Sequence, residues 1–173
     1  MVTRFAGLAA IAAGVLWVSG GIAMNATAVN PSLGYKELTA GIFAIVGGAV
    51  LLAGVAAVLV ARQTVHGGRA PLVGGALLLA GAALTPFPWP IMFVGFLFGL
   101  AGAATFGFAM YRLGGRPTAA LVGAAAIGML LFNTEDARAL LAVPYGLVWA
   151  VFGLDLIVRP PSPSVPPRKP ASP

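Results

Sequence analysis

The sequence predicts an all-α fold, a bundle of six transmembrane helices, and three observations carry that prediction. Of its 173 residues, 60% are hydrophobic and 8% charged, whereas a soluble domain carries about 25% charged residues. So little charge cannot cover a surface facing water, and the solvent for most of the chain is lipid. The apolar residues collect into six runs separated by Gly, Pro and charged residues. The basic residues between the runs segregate, because eight of the ten Lys and Arg fall on one side if every run crosses.

The first run, Phe5 to about Met24, meets the requirement of roughly 20 residues for a helix crossing the hydrocarbon. It competes with a cleaved signal peptide, since Arg4 supplies a basic start and Ala26-Thr27-Ala28 resembles a small-residue cleavage site. The run is longer than a usual signal core, which favours a retained helix. The second, Thr39 to Val60, is long enough to span. The third, Pro71 to Leu84, gives only about 21 Å of helix. It crosses if it tilts little and its polar ends snorkel. A re-entrant reading would invert every later segment and break the charge pattern.

Thr85-Pro86-Phe87-Pro88-Trp89-Pro90 is a stiff turn whose prolines disfavour helix, with Trp89 suited to an interface. Tyr35 and Tyr111 also fall near expected interfaces. The fourth run, Ile91 to Tyr111, is long enough to span, and the fifth, Pro117 to Phe132, is short. Pro71 and Pro117 stand at helix starts, where the missing N–H costs nothing. The sixth run goes from about Ala137 to Val158. Asn133 is its expected cap, with Glu135 and Asp136 in its first turn against the positive helix end. Pro144 removes the hydrogen bond to the Leu140 carbonyl and should kink the outer part of this helix. From Arg159 to Pro173 the chain holds seven prolines and reads as a disordered or polyproline II tail.

Arg4, Arg62, Arg69, Arg112, Arg116, Arg159, Arg168 and Lys169 share one side, and only Lys36 and Arg138 occupy the other. Cytoplasmic loops concentrate Lys and Arg, so both termini are expected in the cytoplasm. The Ala, Gly and Pro content fits a GC-rich prokaryotic genome and hence the plasma (inner) membrane. The net charge of +6 does not indicate nucleic acid, because the basic residues form no patch. Their expected partner is the anionic headgroup region of the bilayer. With no Cys, disulfides, thiolate metal sites and Cys nucleophiles are excluded.

Gly67-Gly68-Arg69-Ala70-Pro71 resembles Gly114-Gly115-Arg116-Pro117, and Leu-Val-Gly follows each, at Leu72-Val73-Gly74 and Leu121-Val122-Gly123. Two readings are open: three related hairpins with parallel symmetry, or chance similarity in Ala/Gly/Leu-rich sequence. Small residues should hold the bundle together, since lipid gives helices no hydrophobic reason to associate. Gly95, Gly99, Ala103 and Gly107 recur at four-residue spacing in the fourth helix and predict a packing groove, central in the bundle or at a homo-oligomer contact. Ala6, Ala10 and Gly14 form a similar row in the first helix.

Chemistry-bearing residues are few. Asp155 is the only carboxylate inside an apolar segment. Intramembrane acids are functional candidates by default, but Arg159 at i+4 offers an ion pair, as do Arg62 or Arg112 on a neighbour. The bland reading is favoured for Asp155 so near an interface. His66 is a lone loop residue, and one His without Cys cannot start a metal site. Trp17 and Trp149 should lie at similar depth and mark the best place for a small apolar or aromatic pocket. No hydrolase, protease or nucleotide-binding motif is present, and no cofactor is implied. The expected function is an accessory, assembly or structural subunit in the membrane, without catalysis, in a homo-oligomer or larger complex. The alternative is a channel or transporter for a small neutral or lipophilic solute, and a lipid-modifying enzyme ranks last.

Overall fold

The computed structural model describes residues 2–32, 34, 36–63, 69–88, 90–114, 116–134 and 136–159. Secondary structure in this part is helical, apart from one isolated bridge between Val29 and Lys36. The helices are α1 (Val2–Ala26), α2 (Thr39–Gln63), α3 (Ala70–Leu84), α4 (Ile91–Gly114), α5 (Pro117–Gly128) and α6 (Ala142–Val158). Short 3-10 segments, Met129–Leu131 and Ala137–Leu141, follow α5 and precede α6. Four stretches are long and apolar enough to cross a membrane: Val2–Ala26, Thr39–Ala61, Ile91–Leu113 and Ala137–Val158. The Pro-rich tail beyond Arg159, together with Tyr35, His66, Trp89 and Glu135, lies outside the described residues.

Each helix packs against its sequence neighbours, and α1 closes on α6, so the six form a ring of antiparallel helices. One end carries the start of α1 and the end of α6, and the opposite end carries the α1–α2, α3–α4 and α5–α6 connections. The burial pattern is inside out relative to a soluble bundle. Phe5, Leu8, Val15 and Ile22 on α1, Phe43 and Val50 on α2, and Leu147, Val151 and Leu154 on α6 point outward. Small residues face neighbouring helices, as expected where lipid surrounds the fold. Larger side chains, among them Leu52, Phe106, Val122, Trp149 and Phe152, fill the interior.

The tightest approaches use glycines seven residues apart. Along α1, Gly7 meets Gly153, Gly14 meets Gly146, and Gly21 meets Ala139 and Ala142. Between α3 and α4, a Cβ on Gly81 would lie 2.5 Å from the Gly99 nitrogen, and one on Gly102 would lie 2.5 Å from the Leu78 nitrogen. The four-residue row expected on α4 therefore does not form one groove. Gly95 faces Leu84 and Thr85, Gly107 faces Ala119 and Gly123 of α5, and Ala103 is fully buried. A Cβ on Gly99 would meet nothing within 4 Å. A four-residue step drifts around the helix, so a row that long is divided between two neighbours in a closed ring. The α5–α6 pair makes much slighter contact than α3–α4, so the two Gly-rich hairpins resemble each other in sequence without packing alike.

Local chemistry sets the helix ends. Pro71 and Pro117 occupy first-turn positions, as their sequence predicts. The hydroxyls of Thr27 and Thr85 each donate to the carbonyl four residues back, at 2.7 Å, closing α1 and α3. Lys36 donates to the Met24 carbonyl at 3.4 Å and so helps satisfy the end of α1. In the same connection Asn30 accepts from the Ser32 N–H and donates to Glu37 at 3.1 Å, and Gly34 supplies a φ of 73°. The expected cap of the last helix is corrected: Asp136, not Asn133, accepts from the Arg138 N–H at 2.8 Å and opens the 3-10 segment. Pro144 is the third residue of α6, and its disturbance is absorbed by that 3-10 turn just before it.

Candidate functional site

Asp155 lies one turn from the end of α6, with its side chain 14% exposed. The local sequence Arg116-Pro117 holds Arg116 extended, at φ −83° and ψ 109°, immediately before α5 begins. From there its guanidinium donates to Asp155 Oδ2 at 3.0 Å, and the Thr118 hydroxyl donates to the same oxygen at 3.0 Å. The carboxylate thus sits at the first turn of α5, where the helix dipole favours negative charge. Arg116 also donates to the Arg159 carbonyl at the end of α6. Arg159 itself is 79% exposed and stands 4.0 Å from Asp155 Oδ1, the outer limit of an ion pair. The expected i+4 partner is therefore secondary. The main partner, Arg116, comes from a loop that sequence spacing does not connect to Asp155. Arg112, another expected neighbour, is exposed, and the side chain of Arg62 lies outside the described set.

In its geometry this cluster is a clasp between two helices. Oδ2 accepts two hydrogen bonds, and the guanidinium bridges the start of α5 to the end of α6. Among the described residues no group of three His, Cys, Asp or Glu could hold a metal ion. At the other end, Asp136 and Arg138 pair at 2.7 Å in an exposed position. The hydrogen bonds from the Arg138 side chain and backbone lower the Asp136 pKa from its ordinary 3.8.

The second feature is aromatic. Tyr145 lies between Trp17 and Trp149 in a chain of ring contacts. Trp17 meets Tyr145 edge-on at 4.8 Å and 73°, and Tyr145 meets Trp149 at 6.4 Å and 77°. Phe152 extends the chain at 5.8 Å from Trp149. Each such pair adds about 0.5–1.5 kcal/mol beyond burial. The i, i+4 spacing puts Tyr145 and Trp149 on one face of α6, and Trp149 falls between the Gly146 and Gly153 contacts that draw α1 close. Gly48 of α2 leaves room for the Trp17 ring, since a Cβ there would fall 2.7 Å from its Cδ1. The indole Nε1 atoms of Trp17 and Trp149 are both buried without a hydrogen-bond partner. An unsatisfied buried donor costs about 1–3 kcal/mol.

Trp17 and Tyr145 also form part of the wall of a cavity inside the ring, with about 40 Å³ open to the centres of water-sized spheres. Leu52, Leu78, Phe96 and Gly99 are among its other walls. Trp149 and Pro144 do not line it, and Pro144 is exposed. Sequence reasoning missed Tyr145, which its spacing from Trp149 could have revealed, and Arg116 with Thr118, which no local pattern announces. Fold and site together define a multi-pass helical membrane protein with an interior aromatic cluster. None of the protein-family models, curated proteins or solved structures with which the chain was compared matches it.

Proposed function

We propose that this protein acts without catalysis, as an accessory or structural subunit of a membrane assembly. It would sit in the plasma (inner) membrane with both termini in the cytoplasm. The observation that carries this reading is the engagement of Asp155. The one carboxylate within the apolar segments is held by Arg116 and Thr118 in a contact that fastens α5 to α6. A proton or cation carrier needs an acid that can exchange its partner along a polar path. The large apolar side chains turned outward offer a surface for lipid or for other helices. Purification from native membranes in mild detergent is expected to recover a stoichiometric partner or a defined oligomer. Recovery of the bare monomer, with turnover of lipid or solute flux in liposomes, would overturn the reading.

A second reading, passage or storage of a small lipophilic solute, is favoured by the interior cavity alone. Flux through liposomes that disappears in Gly99→Leu would support it over the first.

A further inference from the structure

The interior cavity lies in the half of the ring nearer the α1–α2 and α3–α4 connections. Trp17 of α1, Ile45 and Ala49 of α2, Thr85 at the end of α3 and Gly99 of α4 are among its walls. Ala49 and Gly99 are half-exposed although they sit in buried sectors of their helices. Four-residue steps drift slowly around a helix, so Gly99 points between Gly95 and Ala103, and Ala49 between Ile45 and Ala53. All four flanking residues are buried. The open surface of Gly99 and Ala49 therefore faces into the ring and not toward lipid. Packing does not require glycine at position 99, because a Cβ there would meet nothing within 4 Å. The space in front of Gly99 is room that a side chain could have filled.

The chemistry of the wall limits what can occupy that room. The Trp17 indole nitrogen is buried against Gly48 of α2, where a Cβ would lie 2.9 Å from it, so Trp17 presents carbon to the cavity. Thr85 and Tyr145 are the only lining residues whose side chains carry oxygen, and the Thr85 hydroxyl already donates to the Gly81 carbonyl. A water molecule needs two to four polar partners, and these two hydroxyls, one of them engaged, are all that the side chains offer. Voids larger than a water are few in native interiors, and the atoms lining an empty one forfeit dispersion contacts on that side. An apolar occupant restores those contacts and demands no hydrogen bond. The volume of about 40 Å³ exceeds the roughly 10–15 Å³ that one water needs and falls well short of the roughly 150 Å³ of an apolar cavity that admits benzene.

We infer that this cavity is a binding site for a compact, wholly apolar molecule of a few heavy atoms, in the class of short hydrocarbons and apolar gases. Transfer from water into an apolar medium is favourable for such molecules, so the hydrocarbon around the bundle concentrates them and supplies the site. The inference stands apart from the subunit reading, since occupancy is read on the purified protein. It deepens the solute reading by naming the class of occupant, and saturable binding without liposome flux would refute that reading while leaving this one intact.

The test places protein with ¹³C-labelled leucine methyls in lipid nanodiscs under rising xenon pressure, with helium at the same pressures as the control for compression. Leu52 and Leu78 line the cavity, whereas Leu147 and Leu154 point outward. The expected result is a saturable shift of the Leu52 and Leu78 methyls with xenon, none with helium, and only a linear drift at Leu147 and Leu154 from xenon dissolved in lipid. Benzene is expected to give no saturable shift at any of the four. Gly99→Leu, which places a side chain in the cavity, is expected to abolish the xenon response, and Ala49→Leu serves the same purpose if that variant does not fold. A linear response at Leu52 and Leu78, an equal response to helium, or a saturable shift that survives both filling variants would overturn the proposal. A saturable shift with benzene would overturn the size assigned to the occupant. Cross-peaks from water or from lipid chain ends to the Leu52 and Leu78 methyls that persist under xenon would overturn the proposal in favour of those occupants.

Discussion

Gly14 of α1 and Gly146 of α6 meet backbone to backbone, and a Cβ on either would collide with the carbonyl oxygen of the other. The same contact repeats one heptad away, where a Cβ on Gly7 would lie 2.6 Å from the Gly153 oxygen. These glycines are required by closeness, since helices in lipid associate through the packing that such approaches permit. Gly14→Ala or Gly146→Ala should force α1 and α6 apart, with the cost of about 1–3 kcal/mol typical of overpacking. Gly54→Ala is the control, because a Cβ there meets nothing within 4 Å. It should be neutral or stabilising by up to about 1 kcal/mol through helix propensity. Thermal unfolding of the three variants in one detergent reads the contrast, and equal midpoints would refute the seam.

The clasp at Asp155 makes a different prediction. Arg116→Ala leaves a carboxylate at 14% exposure without its main donor. Removing one partner of a fully buried pair costs about 3–5 kcal/mol, and partial exposure here reduces that to about 1–3 kcal/mol. Asp155→Asn should cost less, because the Thr118 hydroxyl can still donate to the amide oxygen. The double variant should be less destabilised than the sum of the singles. Hydrogen exchange should also show faster opening of the first turn of α5 in Arg116→Ala. Strict additivity in the cycle would mean that the two side chains do not interact.

At the opposite end, Asp136 should titrate below 3.8 in the folded protein, chiefly because the Arg138 side chain donates to it. The sign follows from the lowered folded value: the pair's contribution is present above 3.8 and is lost as pH falls through the folded pKa. Carboxyl ¹³C shifts across acid pH check this, and Arg138→Gln should move the midpoint back up. A midpoint unchanged by that substitution would show that Arg138 is not the cause.

Orientation is open to chemical labelling, because the chain contains no Cys. Single cysteines at Ser32 and Thr134 should react with an impermeant reagent outside intact cells. Cysteines placed at His66 and Gly115 should react only after the membrane is opened. The reverse pattern would invert the proposed topology.

The helices themselves were legible because length and apolarity decide them locally. The sequence-based limits of α3, Pro71 to Leu84, differ from the observed Ala70–Leu84 by one residue, since Pro at one end and a Pro-rich turn at the other leave little choice. The cap of the last helix was misassigned to Asn133 because Asn133 and Asp136 are both good caps. The choice depends on where the 3-10 turn begins, which the tertiary packing of Ala139 against Gly21 helps to set. The row on α4 was misread for a related reason: four-residue spacing identifies small residues but not the neighbour each one faces.

By itself the sequence determined that this chain is a multi-pass helical membrane protein, because hydrocarbon solvent demands helices of a given length whose backbone is internally satisfied. It also determined which end of the bundle gathers the basic residues. Only the tertiary structure decided that α1 closes on α6 through Gly14 and Gly146, that Arg116 rather than Arg159 is the main partner of Asp155, and that the Trp17 indole packs against Gly48 of α2 with its N–H buried. These are contacts between residues far apart in the chain. They depend on the rotation and pairing of whole helices, which an apolar pattern nearly uniform around each helix does not specify.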